Sequence, residues 1–263
     1  MRILFFGDIV GKNGRNAIKR NLGLLKSKFR ADLVIANGEN ATHGKGLIEN
    51  HYNELIEAGI DIITLGNHYL SKSEITEYIQ HANRLVRPLN IKSDIGGYGS
   101  VVIDIDDISI RVTNVLGQVF LHEEVENPFD SLDQLINNSE RANIHIVDFH
   151  AEATGEKQAL AWAFDGKVSA VLGTHTHVQT NDNRILENGT GYISDVGMCG
   201  PYNGVLGVKK EAVIARSWHG EKVRFETDDF DESIINAVIM DINNDGKCQS
   251  IQTISFVDSN KHK

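Results

Sequence analysis

The sequence predicts an α/β fold of two packed sheets with helices outside them, and three observations predict it. Apolar strand-like runs alternate with helically spaced apolar residues through the first half, as in parallel βαβ units. From Gly191 onward the chain reads mostly as strand. No Ser/Gly/Pro-rich linker or internal repeat divides it, so residues 1–263 are expected to form a single domain.

Arg2–Phe6 is a buried-strand run, and Asn16–Phe29 carries Ile18, Leu22, Leu25 and Phe29 at helical spacing. Asp32–Ala36 reads as a second strand, Asn50–Ala58 as a short helix and Asp61–Leu65 as a third strand. Ser73 stands where it could cap a helix through Gln80. Ser100–Ile105 and Ile108–Val115 pair as antiparallel strands across Asp106-Asp107. A helix near Leu132–Asn137 precedes the strand Asn143–Val147, and a helix over Glu156–Phe164 precedes the strand Val168–Leu172. Further strands are expected at Tyr192–Asp195, Glu211–Ser217, Lys222–Glu226, Ile234–Ile242 and Ser250–Val257. Asp241-Ile242-Asn243-Asn244-Asp245-Gly246 opens like a calcium-binding loop. Gln252 stands where the bidentate Glu belongs and both flanks alternate as strands, so it reads as a hairpin turn.

With 26 Lys+Arg against 36 Asp+Glu the formal charge is −10, which argues against a binder of duplex nucleic acid through a basic face. No apolar stretch approaches the ~20 residues a bilayer needs, and the opening apolar run is too short for a signal sequence. Cys199 and Cys248 cannot make a disulfide framework. A cytoplasmic protein without a membrane partner is expected, and a homo-oligomer is left open.

The chemistry gathers at strand ends. Gly7-Asp8, Asn37-Gly38-Glu39-Asn40, Gly66-Asn67-His68, Asp148-Phe149-His150 and Gly173-Thr174-His175-Thr176-His177 each follow an apolar strand. Ligands of open α/β sheets collect outside the carboxyl ends of the strands, so these loops should converge. Oxygen and imidazole donors without thiolate suit manganese, iron or zinc, and a central carboxylate can bridge two ions. On extended backbone, His175 and His177 would project to the same side.

In this order, these motifs resemble those of the calcineurin-like metallophosphoesterases. Gly-Asp-Ile-Val-Gly, Asn-Gly-Glu-Asn-Ala-Thr-His-Gly-Lys-Gly, Asp-Phe-His-Ala-Glu-Ala-Thr and Gly-Thr-His-Thr-His-Val-Gln-Thr make the chain similar to the bacterial YmdB-like cyclic-nucleotide phosphodiesterases over nearly its whole length. The chain departs from the general superfamily at Val10, where a His is usual, and at Glu39, where an Asp is usual. The resemblance implies a four-layer sandwich of two mixed sheets flanked by helices, holding two divalent ions per chain, with iron or manganese favoured and zinc compatible. It implies Asp8, Glu39, Asn40 and His177 at one ion, and Glu39, Asn67, His150 and His175 at the other. It points to 2′,3′-cyclic and also 3′,5′-cyclic nucleotides as substrates.

In-line hydrolysis by a hydroxide generated at the metals is the expected reaction, with His68 as the general acid that protonates the leaving oxygen. Asp148 and Asp195 are expected to orient histidines or water, and His43 and Lys45 are placed to meet a phosphate. Cys199 is expected to pack rather than react. Two rival readings remain: a phosphomonoesterase or protein phosphatase on the same centre, and a regulatory module with little turnover.

Overall fold

A computed structural model describes residues 1–93, 95–227 and 232–259. In chain order the elements are β1 (Arg2–Phe6), β2 (Asp8–Ile9), α1 (Gly11–Phe29), β3 (Leu33–Asn37), α2 (Glu49–Glu57), β4 (Ile62–Thr64), α3 (Ile75–Tyr78) and β5 (Leu85–Val86). There follow β6 (Ser100–Ile105), β7 (Ile108–Leu116), α4 (Pro128–Asn138), β8 (Ile144–His150), α5 (Thr154–Ala163) and β9 (Ala170–Thr174). The remainder comprises β10 (Arg184–Ile185), β11 (Gly191–Ile193), β12 (Met198–Pro201), α6 (Lys210–His219), β13 (Glu232–Ile242) and β14 (Cys248–Ser259). Among the described residues no helix is long and apolar enough to cross a membrane.

The first sheet runs β2-β12-β13-β1-β3-β4-β5 with β14 on β13, and the second runs β10-β11-β9-β8-β7-β6. Both are mixed. β1, β3, β4 and β5 are parallel, while β13 is antiparallel to β1. β7, β8, β9 and β11 are parallel, with β6 and β10 antiparallel at the two edges.

Strand periodicity builds the layers. Ile3 and Phe5 of β1 and Leu33 and Ile35 of β3 meet Ile110, Val112, Ile144 and Ile146 of the second sheet in one apolar cluster. The alternate residues Leu4, Phe6, Val34 and Ala36 face Ile18, Leu22 and Leu55 of α1 and α2. On the other side Val147, Phe149 and Val171 pack on Leu132 of α4 and Leu160 of α5. The result is the four-layer helix–sheet–sheet–helix sandwich of the metallophosphoesterases.

Several sequence expectations need correction. Glu211–Ser217 is not a strand but most of α6, in which no residue is buried. Its β-branched pair Val213-Ile214 reads as strand, yet Glu211 in the first turn, Arg216 and His219 in the last, and left-handed Gly220 at the cap match a helix. Lys222–Glu226 forms no strand; only Thr227 makes an isolated bridge, to Val208. α3 is shorter than Ser73–Gln80, and Ser73 does not cap it. The Asp241–Gly246 segment, by contrast, is the hairpin turn the sequence predicts, joining β13 and β14 with Gly246 donating its N–H to the carbonyl of Asn243.

Candidate metal centre

Each sheet delivers its polar residues at the carboxyl ends of its strands. Asp8 follows Gly7, where a Cβ would run into the carbonyl oxygen of Gly197, so the close crossing of β1 over the segment before β12 requires glycine. Glu39 and Asn40 lie in the turn after β3, shaped by the Glu39 N–H donating to Asn37 Oδ1 at 3.1 Å. Asn67 and His68 follow β4, His150 is the last residue of β8, and His175 and His177 follow β9. Those two histidines are not on extended backbone as expected, having φ of 100° and 67°. The left-handed region is uncommon for residues other than glycine, and such backbone clusters at functional sites.

All the strand-end residues singled out by sequence meet in one place. Asn40 Nδ2 lies 3.3 Å from Asp8 Oδ1, 3.0 Å from Glu39 Oε1 and 3.1 Å from His177 Nε2. His150 Nε2 lies 3.2 Å from Glu39 Oε1, 3.1 Å from Asn67 Oδ1 and 3.0 Å from His175 Nδ1. Glu39 therefore sits between an Asp8–Asn40–His177 group and an Asn67–His150–His175 group. Its Oε2 accepts the backbone N–H of His68 at 2.9 Å. The His68 ring approaches Asn40 Oδ1 at 2.9 Å through Nδ1 and is about one-quarter exposed, at 24%.

The histidines are oriented from behind. Thr174 Oγ1 donates its one proton to Asp148 Oδ1 at 2.6 Å, so at 2.8 Å it accepts from His150 Nδ1 and leaves His150 Nε2 facing the cluster. His177 Nδ1 meets the carbonyl of Leu206 at 3.0 Å, which turns its Nε2 inward. His175 Nε2 meets Glu152 at 3.1 Å, leaving Nδ1 inward. Asp148 thus acts on His150 through Thr174; its other oxygen accepts from Thr64 at 2.5 Å and Asn37 at 3.0 Å in the first sheet. Asp195 accepts from Lys157 at 2.9 Å and from the N–H and hydroxyl of Thr176 at 3.0 and 2.8 Å, which fixes the loop carrying His175 and His177.

Charge follows from these neighbours. Burial works against the ionised carboxylates, yet His150 and His68 hold Glu39 well below the usual range, and His177 and His150 lower Asp8. Burial also opposes charge on His150, but Glu39, Asp8 and Asp148 push it up to about 9. Burial pushes Asp148 up to about 6 and His175 down to about 4. Cys199 is packing, as expected: its thiol is pushed up to about 12 by burial and donates to the carbonyl of Asn236.

Some functional neighbours were given no role by the sequence reading. Glu152, Lys157, Thr174 and the Leu206 carbonyl contact the cluster or its supports; Glu152 and Thr174 lay within quoted motifs, Lys157 and Leu206 in none. Glu123, whose Oε1 accepts from Asn67 Nδ2 at 3.2 Å, was not singled out either. His43 and Lys45 are exposed in the loop after Asn40, and His43 sets its ring against His51.

The residues fit divalent ions. Asp8 and Glu39 are fully buried carboxylates whose ion-pair partners among the described residues are histidines, with no Lys or Arg. Buried negative charge of this kind calls for a cation, and the donors are oxygen and imidazole nitrogen only. Ligand atoms of Glu39, His150 and His175 lie within 4.8 Å of one another, close enough for one ion. Fold and cluster together define a phosphoester hydrolase of the metallophosphoesterase class.

Comparison with known proteins narrows that class. The model of the YmdB-like protein family matches residues 4–254. The chain is 46% identical over 248 residues to the 2′,3′-cyclic-nucleotide 2′-phosphodiesterase of Bacillus subtilis, covering 94% of this chain and 93% of that one. The crystal structure of a Mycoplasma pneumoniae phosphatase superposes with a TM-score of 0.93 at 43% identity, covering 99% of this chain and 95% of the other. A Thermus thermophilus protein of unassigned function superposes with a TM-score of 0.92 at 38% identity, covering 98% and 100% of the two chains. The chain belongs to the YmdB-like family.

Proposed function

We propose that the chain is a single-domain phosphodiesterase that holds two divalent ions and hydrolyses cyclic nucleotides, 2′,3′-cyclic AMP foremost and 3′,5′-cyclic AMP as well. Iron or manganese is favoured over zinc. The observation that carries this reading is the position of Glu39 between two groups of oxygen and nitrogen donors. Asp8, Glu39, Asn40 and His177 would hold one ion, and Glu39, Asn67, His150 and His175 the other. The similarity to the Bacillus subtilis cyclic-nucleotide enzyme supports the substrate class.

When bound, the ions would supply an activated water and neutralise charge on the phosphoryl oxygens. The chain's own part is placement and proton transfer. The acceptors behind His150, His175 and His177 keep a lone pair of each ring aimed at the cluster. A half-turn of the Asn40 amide, whose ends are nearly isosteric, would aim its oxygen at Asp8, Glu39 and His177 and its NH2 at His68 Nδ1. His68 would then accept at Nδ1 and carry its proton on Nε2, ready to give to the leaving oxygen.

The test is turnover of 2′,3′-cyclic AMP, 3′,5′-cyclic AMP and bis-(p-nitrophenyl) phosphate against p-nitrophenyl phosphate with added Mn²⁺, alongside elemental analysis. Diester turnover with about two ions per chain is expected. Preference for the monoester would move the reading to a phosphomonoesterase, and a single ion at full occupancy would remove the bridging role of Glu39.

A further inference from the structure

The amino-terminal end of the second sheet holds a cavity of about 400 Å³, lined by the segments that lead into β8 and β9 and by the β13–β14 turn. The metal cluster lies at the far end of the same strands, roughly 20 Å away at about 3.3 Å per residue along β8. The cavity is therefore a separate place on the molecule.

Its charge runs against that of the chain. Arg111, Arg141, Lys167 and Lys247 line it against Glu140 and Asp245, a local surplus of positive charge on a chain of formal charge −10. Arg111 is half-buried, and its hydrogen bonds go to neutral groups: Nη2 to the Glu140 carbonyl at 2.8 Å and Nη1 to Ser100 Oγ at 3.3 Å. Among the described residues it makes no ion pair, Glu140 acting on it only as a nearby charge, and neither Arg141 nor Lys247 makes a side-chain ion pair. A half-buried guanidinium whose counter-charge is not in contact gains from an anion that meets it directly. Arg111 presents a planar fork of donors suited to a phosphate, with Lys247 and Arg141 at the exposed mouth. Ile136 and Val168 supply an apolar wall, and the volume suits a compact organic ligand.

We propose that this cavity is a second ligand site that takes a phosphate-bearing small molecule of mononucleotide size. Arg111, Arg141 and Lys247 meet the phosphate, and Ile136 and Val168 cover the remainder. The site is independent of the metal centre and of the activity proposed there.

Calorimetric titration with AMP, adenosine and inorganic phosphate tests it. The full chain is used as wild type, as Glu39→Gln to disable the metal centre, and as Glu39→Gln with Arg141→Ala and Lys247→Ala. AMP is expected to bind the Glu39→Gln chain and to lose at least tenfold in affinity when the two exposed cations are removed, with thermal melting unchanged. Adenosine should bind at least tenfold more weakly than AMP, and inorganic phosphate should displace AMP. Absence of AMP binding to Glu39→Gln, indifference to loss of the cations, or equal affinity for adenosine would each overturn the site. Catalytic failure of the wild-type chain would leave these outcomes unchanged, so the two readings fail separately.

Discussion

β8 carries a histidine near each end, and the two have opposite fates. His150, at the carboxyl end, is wholly buried and is pushed up to about 9 by Glu39, Asp8 and Asp148. His145, at the amino end, is also buried but is pushed down to about 3 by burial and by Arg111. One sits where carboxylates favour positive charge; the other is a neutral ring hydrogen-bonded to Thr113 Oγ1 at 2.8 Å. Burial alone does not make a histidine functional. The charges around it decide whether it can be exchanged for a metal ligand or serves only to fill and bond the interior.

The contrast breaks most severely at Glu39. Glu39→Gln should empty the centre and abolish turnover, because a neutral amide is a poor bridge between cations; metal content and activity are measured on one preparation. Full metal content in that variant would deny Glu39 its role. Gly66→Ala tests the same carboxylate without altering any donor. A Cβ there would strike Glu39 Oε2 and come within 2.5 Å of His150 Nε2. Most of the metal and activity should be lost, with the strands retained by circular dichroism.

His68→Ala should leave the ions bound and slow turnover by roughly 10²–10⁴-fold, the usual contribution of a general acid. The loss should shrink for p-nitrophenyl esters, whose leaving group departs with little protonation. Loss of metal instead would make His68 a ligand.

The smallest effect belongs to the other end of β8. The folded pKa of His145 lies below its unfolded value, so the unfolded chain takes up that proton first. Its neutral burial therefore leaves stability intact above about pH 6.5 and costs a growing amount as pH falls from there toward about 3. The full cost is a few kcal/mol, at about 1.4 kcal/mol per unit. Urea unfolding of His145→Asn should show a shallower loss of stability between pH 7 and pH 5 than the parent. An unchanged slope would assign the acid sensitivity to other groups.

The parallel strands and the polar residues at their ends were legible because both are local. An apolar run stops, and Gly-Asp, Gly-Asn-His or Thr-His-Thr-His follows at once. Glu39 and His150 could be found that way. What could not be read depends on contacts distant in sequence or on weak local signals. Thr174 matters because its hydroxyl lies between His150 and Asp148, and the Leu206 contribution is a backbone carbonyl that any residue type would offer. α6 buries nothing, so it has no apolar stripe to set its period, and its end signals were outweighed by Val213-Ile214.

One feature of the first sheet bears on how the molecule comes into being. β1 is flanked by β3 on one side and by β13 on the other, and Arg2 pairs with Asp241. On a ribosome, β1 emerges early and can soon meet β3, but its other edge stays open until Glu232–Ile242 arrives. Such distant pairing slows folding, and an open apolar strand edge invites association with other chains. β12 also depends on β13, and β12 is the strand that holds Asp8 through Met198. The strand that positions Asp8 is therefore completed only after β13 has been made, so Asp8 takes its place beside Glu39 and Asn40 late in synthesis.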